Sequence, residues 1–220
     1  MPINSATSPS FFNAFYVDKN ESNGLKSILT ENLSRVGGGN DKDYYHQPGG
    51  EYGFLALKKP GDTSILKREI EAKKSITERN QGLSKFFPES QEASHKIYGP
   101  GFIVEHIDFA QDKSGNNAEF KPKFLGMGLP SDMKIKKVLS SVSFSGVSVV
   151  KLRDELNEIQ KNIDLICDCV GELTLAVTKK DNGTSIKIID LAPNESGQTV
   201  DDESRDFIKS GISNLIEKLQ

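Results

Sequence analysis

The stretch Glu51-Tyr-Gly-Phe-Leu-Ala-Leu-Lys58 decides how the first half of this chain is interpreted. Its residues alternate in the way that is typical of a β-strand with one buried face, and Pro60 ends the pattern. In such a strand Ala56 and Lys58 share one face, whereas Lys59 lies on the other. The sequence therefore predicts a strand that ends in a lysine held on the same side as buried residues.

A charged helix is predicted directly after this strand. Thr63 or Ser64 can cap its first turn with a side-chain oxygen. A partial apolar stripe follows, formed by Ile65, Ile70 and Ile76 in a segment of good helix formers. The sequence therefore predicts a strand followed directly by a charged helix.

Strand patterns dominate before this helix, and helix patterns dominate the last third of the chain. In chain order, we predict glycine-broken strands over 28–59, irregular chain over 81–100, a strand over 101–108, a loop over 111–130, a helix from Val149 to Ile163, hairpin strands over 173–177 and 186–189, and an amphipathic helix over 207–219. This order predicts an α+β fold. We expect a flexible segment over 1–24, a first lobe over 25–110 and a second over 111–220.

Composition narrows the class of protein. The 220 residues carry a formal charge of −3, so bulk electrostatics do not favour nucleic acid or an anionic membrane as a partner. No apolar run is long enough to span a bilayer. Cys167 and Cys169 suit neither a disulfide nor a complete zinc site, which favours a reducing environment. The Ser- and Asn-rich start is interpreted either as a frayed terminus or as the export signal of a secreted bacterial protein.

Four separate segments carry residue types that suit phosphate and magnesium chemistry. Gly37–Gly39 can bring backbone amides close to phosphate because glycine has no Cβ. Lys58 offers an ammonium at a strand end, and Glu69, with Glu71 as the alternative, lies on the following helix. Asp190 ends the strand Lys187-Ile-Ile-Asp and supplies the carboxylate that magnesium prefers. Each of these features alone is common on protein surfaces, so the hypothesis depends on the whole set.

The order of the four segments resembles that of the protein kinases. The resemblance implies that Gly37–Gly39 cover the phosphates of ATP, that Lys58 binds them, that Glu69 fixes Lys58, and that Asp190 binds Mg²⁺ in place of the Asp of D-F-G. The third glycine of the kinase loop is replaced by Lys42. ATP and Mg²⁺ are the cofactors that the resemblance implies.

Two further segments extend the resemblance to most of the chain. Residues 101–107, Gly-Phe-Ile-Val-Glu-His-Ile, resemble the strand and hinge that contact adenine, which implies contacts from Val104, Glu105 and Ile107. Asp206 begins a segment similar to the D-x-W-S-x-G helix, whose Asp braces the catalytic loop. The implied architecture is a minimal bilobal kinase-like fold with a β-rich N-lobe and a truncated helical C-lobe.

The catalytic loop is where the chain departs from the kinases, because it contains no H-R-D-L-x-x-x-N string. Aligning the flanking helix and hairpin puts Ile166-Cys-Asp168 on H-R-D, which makes Asp168 the implied catalytic base. In that register Leu173 replaces the metal-binding Asn, and Glu172 or Thr174 is the substitute ligand for Mg²⁺.

A second register puts Asn162-Ile-Asp164 on H-R-D and makes Asp168 a metal ligand. We prefer the first register because Asp164 is predicted to lie within a helix. The three histidines, His46, His95 and His106, form no nucleophile or metal-ligand pattern and are interpreted as structural or surface residues.

Only 30 residues follow Asp190, which leaves no room for the peptide-docking helices of a full kinase. This truncation resembles bacterial type III secreted effector kinases, in particular a plant-pathogen effector that mimics a chaperone client and phosphorylates the heat-shock-protein-90 chaperone. The resemblance implies a monomeric virulence factor that acts on Ser or Thr of a folded host protein in the host cytosol. A pseudokinase binding module and a small-molecule phosphotransferase are the alternatives.

The predicted connector over 81–100 contains Leu83, Phe86 and Phe87 in a polar context. Such apolar groups are either packed under the sheet or offered to a partner protein. The second possibility would let the connector select a folded substrate.

Overall fold

A computed structural model describes residues 33–38, 41–59, 63–111, 117, 119–120, 149–180, 183–193, 200, 202–217 and 219. The predicted N-terminal segment over 1–24 and most of the predicted loop over 111–130 lie outside the described residues. In the described part of the chain, every helix is too short or too polar to cross a membrane.

The described elements combine strands and helices in an α+β arrangement, which confirms the predicted class. In chain order they are β1 (Ser34–Gly38), β2 (Lys42–His46), β3 (Tyr52–Leu57), α1 (Ser64–Arg79), a 3-10 helix (Gln81–Phe86), β4 (Ser90–His95), β5 (Gly99–Glu105), β6 (Glu119–Phe120), α2 (Val149–Lys161), α3 (Ile163–Cys167), β7 (Val170–Lys180), β8 (Gly183–Pro193) and α4 (Asp202–Glu217).

The chain divides into two compact units, and the division falls inside α1. Among the described residues, the first unit contains those up to Leu66 together with Glu89–His106, and the second contains Lys67–Pro88 and those from Ile107 onward. Residues 67–88, which the sequence analysis placed in the first lobe, thus cluster with the helices of the second unit.

The first unit is built on a five-stranded antiparallel sheet with the strand order β1-β2-β3-β5-β4. Its core is formed by Leu33, Phe54, Ala56 and Ile103. Gly101 lies against Leu55, and a Cβ at this position would come 2.0 Å from the Leu55 carbonyl oxygen. Only glycine permits this approach of β5 to β3.

The second unit contains the three-stranded sheet β6-β7-β8 with α2 packed against β8 and α3 against β7. The helix α4 packs on both α2 and α3. The apolar stripe predicted for the helix from Val149 is buried as expected, with Leu152, Leu156 and Ile159 in the core. The predicted single helix is interrupted at Asn162, beyond which α3 begins.

The sequence patterns located most elements but missed two strands, β4 and the two-residue β6, which lies in the predicted loop over 111–130. The predicted strand over 51–58 corresponds to β3, the helix after it to α1, and the hairpin to the longer pair β7 and β8. In the stretch predicted to be irregular, β4 forms from Ser-Gln-Glu-Ala-Ser-His at the edge of the first sheet. Its only buried residues, Ser90 and His95, are polar, so hydrophobic alternation could not reveal it.

Candidate functional site

Lys58 lies just beyond β3, at the end of the first sheet where β2 begins. Its backbone N–H donates to the Asp41 carbonyl oxygen at 2.9 Å, which fixes the direction of the chain. Its Nζ lies 3.5 Å from Asp43 Oδ1. Asp43 stands opposite Ala56 in the β2–β3 register, so it is a diagonal neighbour of Lys58 on the face that the strand alternation predicted.

Asp43 also binds a second cation. Arg35 Nη2 donates to Asp43 Oδ1 at 2.9 Å, across the β1–β2 pair. This hydrogen bond holds the pKa of the Asp43 carboxyl below its ordinary value, and it raises the pKa of Arg35. The carboxylate is therefore ionised at neutral pH between two cations.

The glycine-rich segment lies next to this cluster. Gly38 is the register partner of Asp43, and a Cβ at Gly38 would lie 2.3 Å from Asp43 Oδ1. At Gly37 a Cβ would meet nothing within 4 Å, so the strand is open there. Gly39 lies outside the described residues. The arrangement places two of the three predicted phosphate-binding glycines at the end of the sheet that carries Lys58.

Glu69 is buried in α1, with 4% of its surface exposed, whereas the alternative Glu71 is exposed. Lys73 Nζ lies 3.6 Å from Glu69 Oε1 one helical turn away. Glu69 belongs to the second unit and Lys58 to the first, and each has an ion partner within its own unit. Burial selects Glu69 over Glu71 as the helix glutamate that is not simply solvated.

The predicted adenine-binding segment is the end of β5. Val104 is buried and pairs with Gly53 and Ser90. The Glu105 N–H donates to the Glu89 carbonyl oxygen at 2.8 Å, while the predicted contact residue Ile107 belongs to the second unit. An adenine bound here would need backbone groups other than the amide of Glu105.

Asp168, the predicted catalytic base, follows α3 and is held by two arginines. Arg205 Nη2 lies 2.8 Å from Oδ1, and Arg79 Nη2 lies 3.2 Å from Oδ2. The hydrogen bond from Arg205, with that from Arg79, keeps the pKa of Asp168 below its ordinary value. A carboxylate in this state is a weak proton acceptor, because both of its oxygens already receive hydrogen bonds from cations.

Asp164, the candidate of the second register, lies within α3 as predicted, and 61% of its side chain is exposed. Lys209 Nζ contacts its Oδ1 at 2.8 Å. The hydrogen bond raises the pKa of Lys209.

Together with Lys209, which binds Asp164, Arg205 connects α4 to the segment around Asp168. Its guanidinium donates to the carbonyl oxygens of Val200 and Asp164 at 2.8 and 3.1 Å, in addition to Asp168. Asp206, the predicted brace, is exposed. Arg205, and not Asp206, holds the segment around Asp168. The sequence signal that could have identified it is the i, i+4 spacing of Arg205 and Lys209, which puts two cations on one helical face.

The predicted magnesium ligands lie on the β7–β8 hairpin. Asp190 pairs with Thr174, and Glu172 pairs with Ala192, so the backbone positions of Asp190 and Glu172 are diagonal neighbours. The side chains of Asp190 and Glu172 are outside the described part of the structure. Among the described side chains, His, Cys, Asp and Glu form no group of three or more that could hold a metal ion.

Two clusters were not predicted from the sequence. The imidazole rings of His46 and His106 stack with centroids 3.6 Å apart, and Tyr44 Oη lies 2.7 Å from His106 Nδ1. Near Asp168, burial raises the pKa of the Cys167 thiol to about 11, while Cys169 Sγ contacts Ser75 Oγ at 3.4 Å. The contacts that form both clusters join residues distant in the sequence, His106 with Tyr44 and His46, and Cys169 with Ser75, so no local pattern could reveal these contacts.

The connector does not offer its large apolar groups to a partner. Leu83, Phe86 and Phe87 are 0%, 1% and 3% exposed, and the 3-10 helix that carries the first two packs against β8. The hypothesis that Phe86 and Phe87 select a folded substrate is therefore wrong. Burial of these rings satisfies the hydrophobic effect within the second unit instead.

No protein-family model matches the chain, and a search of curated proteins found no match. The functional assignment therefore depends on the arrangement of the residues themselves.

Proposed function

We propose that this protein is an ATP- and magnesium-dependent protein kinase that transfers phosphate to Ser or Thr. The observation that carries the proposal is the position of Lys58. In protein kinases the nucleotide-binding lysine lies on the third strand, after a glycine-rich loop between the first two strands and before a helix with a glutamate. Here Lys58 directly follows β3, the glycine-rich segment begins in β1, and α1 carries the buried Glu69.

The sheet supports the same proposal. Each of the strands β1, β2 and β3 is antiparallel to the next, so the β1–β2 turn and the end of β3 meet at one end of the sheet. A phosphate chain at that end would meet backbone amides and the ammonium of Lys58, which are the groups that stabilise a transferring phosphoryl group. Asp190 lies inside β8, three residues before its end and not at the strand end that the sequence predicted, and its carboxylate would bind Mg²⁺ when the ion is present, since a carboxylate is a preferred ligand of this ion.

The second candidate is a nucleotide-binding module without transfer activity. It is favoured by the two arginines on Asp168, which lower its capacity to accept a proton, and by the missing loop Asn. In this alternative Lys58 and Glu69 keep their roles, and the segment around Asp168 serves structure alone.

For the biological setting, we propose a secreted bacterial effector that acts on a folded host protein, with the heat-shock-protein-90 chaperone as the first substrate to test. The surface that selects the substrate lies outside the buried connector.

The test is binding and transfer with radiolabelled ATP, Mg²⁺ and host lysate. Lys58→Ala and Asp190→Ala should each lower the transfer rate on the order of a hundredfold or more, because each removes a charge that stabilises the transition state. Lys59→Ala is the matched control, since the adjacent lysine has the same charge, and it should change transfer by less than about twofold. Equal activity in Lys58→Ala and Lys59→Ala would overturn the proposal.

Calorimetric titration with ATP and Mg²⁺ separates the two candidates. Binding that depends on Lys58 without phosphate transfer to any lysate protein, or to the protein itself, would establish the binding module. Transfer that depends on Asp168 would exclude it.

A further inference from the structure

Arg35 and Lys58 converge on a single oxygen atom. Arg35 Nη2 lies 2.9 Å and Lys58 Nζ lies 3.5 Å from Asp43 Oδ1. The two cations come from different strands, β1 and the end of β3, and the carboxylate between them comes from β2. The three residues are separated in the sequence, and the pairing of β1, β2 and β3 places them side by side.

The local chain geometry fixes the carboxylate in this place. The β1–β2 register shifts between Arg35 and Gly37, so Gly38 comes to pair with Asp43. The missing side chain at Gly38 leaves the space that Asp43 Oδ1 occupies. Residue 38 therefore has to be glycine for Asp43 to reach both cations.

The cluster carries two positive charges and one negative charge. Half of the Arg35 side chain and a third of the Lys58 side chain remain exposed, and the strand is open at Gly37. A guanidinium and an ammonium bind carboxylate and phosphate oxygens by the same charge-assisted hydrogen bonds. Asp43 Oδ1 thus occupies the position in which a phosphate oxygen would be bound by the same two groups.

We propose that Arg35 and Lys58 together bind the linear polyphosphate chain of the nucleotide, and that Asp43 holds the two cations in place in its absence and competes with phosphate for them. The proposal rests on the function proposed above in taking Lys58 as a phosphate-binding residue. It adds Arg35 as a second phosphate-binding residue and Asp43 as a residue that weakens binding.

Asp43 has two other conceivable roles, and each makes a different prediction. A magnesium ligand at this position would make its loss weaken binding that depends on Mg²⁺. A purely structural ion pair would make the loss of Asp43 lower the unfolding temperature without any gain in affinity. Competition with phosphate is the only role of the three that predicts tighter binding when the carboxylate is removed.

The experiment is calorimetric titration of the full chain with ATP and, separately, with inorganic tripolyphosphate, each with and without Mg²⁺. Asp43→Asn should tighten the binding of both about threefold or more, because a competing negative charge is lost. Arg35→Ala should weaken both about tenfold, and Arg35→Lys should recover part of the loss. Lys59→Ala is the charge-matched control and should leave both affinities unchanged. Circular dichroism and unfolding temperatures confirm that each variant is folded.

Unchanged or weaker binding by Asp43→Asn would overturn this inference, and so would unchanged binding by Arg35→Ala. The kinase proposal would remain intact in either case if the protein still binds ATP and transfers its phosphate. Tripolyphosphate binding with the expected pattern, without any phosphate transfer from ATP, would support the inference and refute the kinase proposal. A wild-type protein that binds neither compound would overturn both.

Discussion

Asp168 is bound on both carboxylate oxygens, by Arg205 Nη2 at 2.8 Å and by Arg79 Nη2 at 3.2 Å. The two arginines come from different helices, α4 and α1, so one carboxylate joins the helix that carries Glu69 to the last helix of the chain. Any role of Asp168 in proton transfer has to operate within this pair of contacts.

If the protein is the kinase proposed above and Asp168 is its base, Asp168→Asn should abolish transfer and leave ATP affinity nearly unchanged, because a base acts on the acceptor hydroxyl in the transition state. It should also lower the free energy of unfolding by roughly 1 kcal/mol, since two arginines lose a charged partner at a partly exposed site. Turnover, ATP titration and denaturant unfolding measure the three effects.

The matched control for this change is Asp164→Asn, because Asp164 is also bound by Arg205 but is far more exposed. It should have smaller effects on both transfer and stability. If the effects of the two substitutions on transfer were reversed, the register that makes Asp164 the base would be correct.

The ion pairs of Asp168 predict a loss of stability in acid. Because the pKa of this carboxyl is lower in the folded protein than its ordinary value of 3.8, the carboxylate stabilises the fold fully above that value. The contribution is lost as the pH falls through the lower pKa of the folded state. The difference in unfolding temperature between wild type and Asp168→Asn should therefore be constant above about pH 5 and shrink below about pH 4. A difference that stayed constant down to pH 2.5 would contradict this.

The two cysteines should differ in reactivity by a large factor. Burial raises the pKa of the Cys167 thiol to about 11, so about one molecule in a thousand carries the reactive thiolate at pH 8. Iodoacetamide should therefore leave Cys167 unmodified in the folded Cys169→Ser variant and label it fully in denaturant, as mass spectrometry would show. Rapid labelling of Cys167 in the folded variant would show that it is accessible.

Ser75→Cys should form a disulfide with Cys169. The Ser75 Oγ and Cys169 Sγ atoms are 3.4 Å apart, so a small shift brings two sulfur atoms to bonding distance. The closed loop spans 94 positions, and a cross-link over such a loop stabilises a fold by about 2–4 kcal/mol. Mobility on a non-reducing gel and the unfolding temperature with and without reductant measure the result. Ser75→Cys/Cys169→Ser is the control, and failure to cross-link under mild oxidation would contradict the contact.

The elements predicted well from the sequence are those with strong local patterns. The patterns that predicted β3, the stripe of α2 and the hairpin strands β7 and β8 are each contained in a single stretch of chain. The strand β4 carries no such pattern, because at a sheet edge its polar residues satisfy the backbone pairing without an apolar face.

The sequence predicted candidate site residues only from their type and their position along the chain. Lys58 and Glu69 follow from their positions after a strand and on a helix. Asp43 could not be found in this way, since its partners are brought to it by the sheet register, and the spacing of Arg205 and Lys209 marks a cationic helix face without showing that it binds Asp168. Charged side chains are common on surfaces, and only three-dimensional contacts distinguish a paired one from a solvated one.

Residues 67–88 of the second unit lie, in the sequence, between the two segments of the first unit, and this determines which parts of each unit are synthesised first. Residues 67–88 leave the ribosome before α2, β7 and β8, the elements of their own unit, have been made. Leu83, Phe86 and Phe87 therefore remain without their final neighbours while about a hundred further residues are added, which takes several seconds at the usual rate of translation. The first sheet can close as soon as β5 has emerged, so we expect a stage of synthesis in which the first sheet is complete and these three apolar side chains still lack their final neighbours. Such a stage is a natural substrate for a chaperone that binds exposed apolar segments.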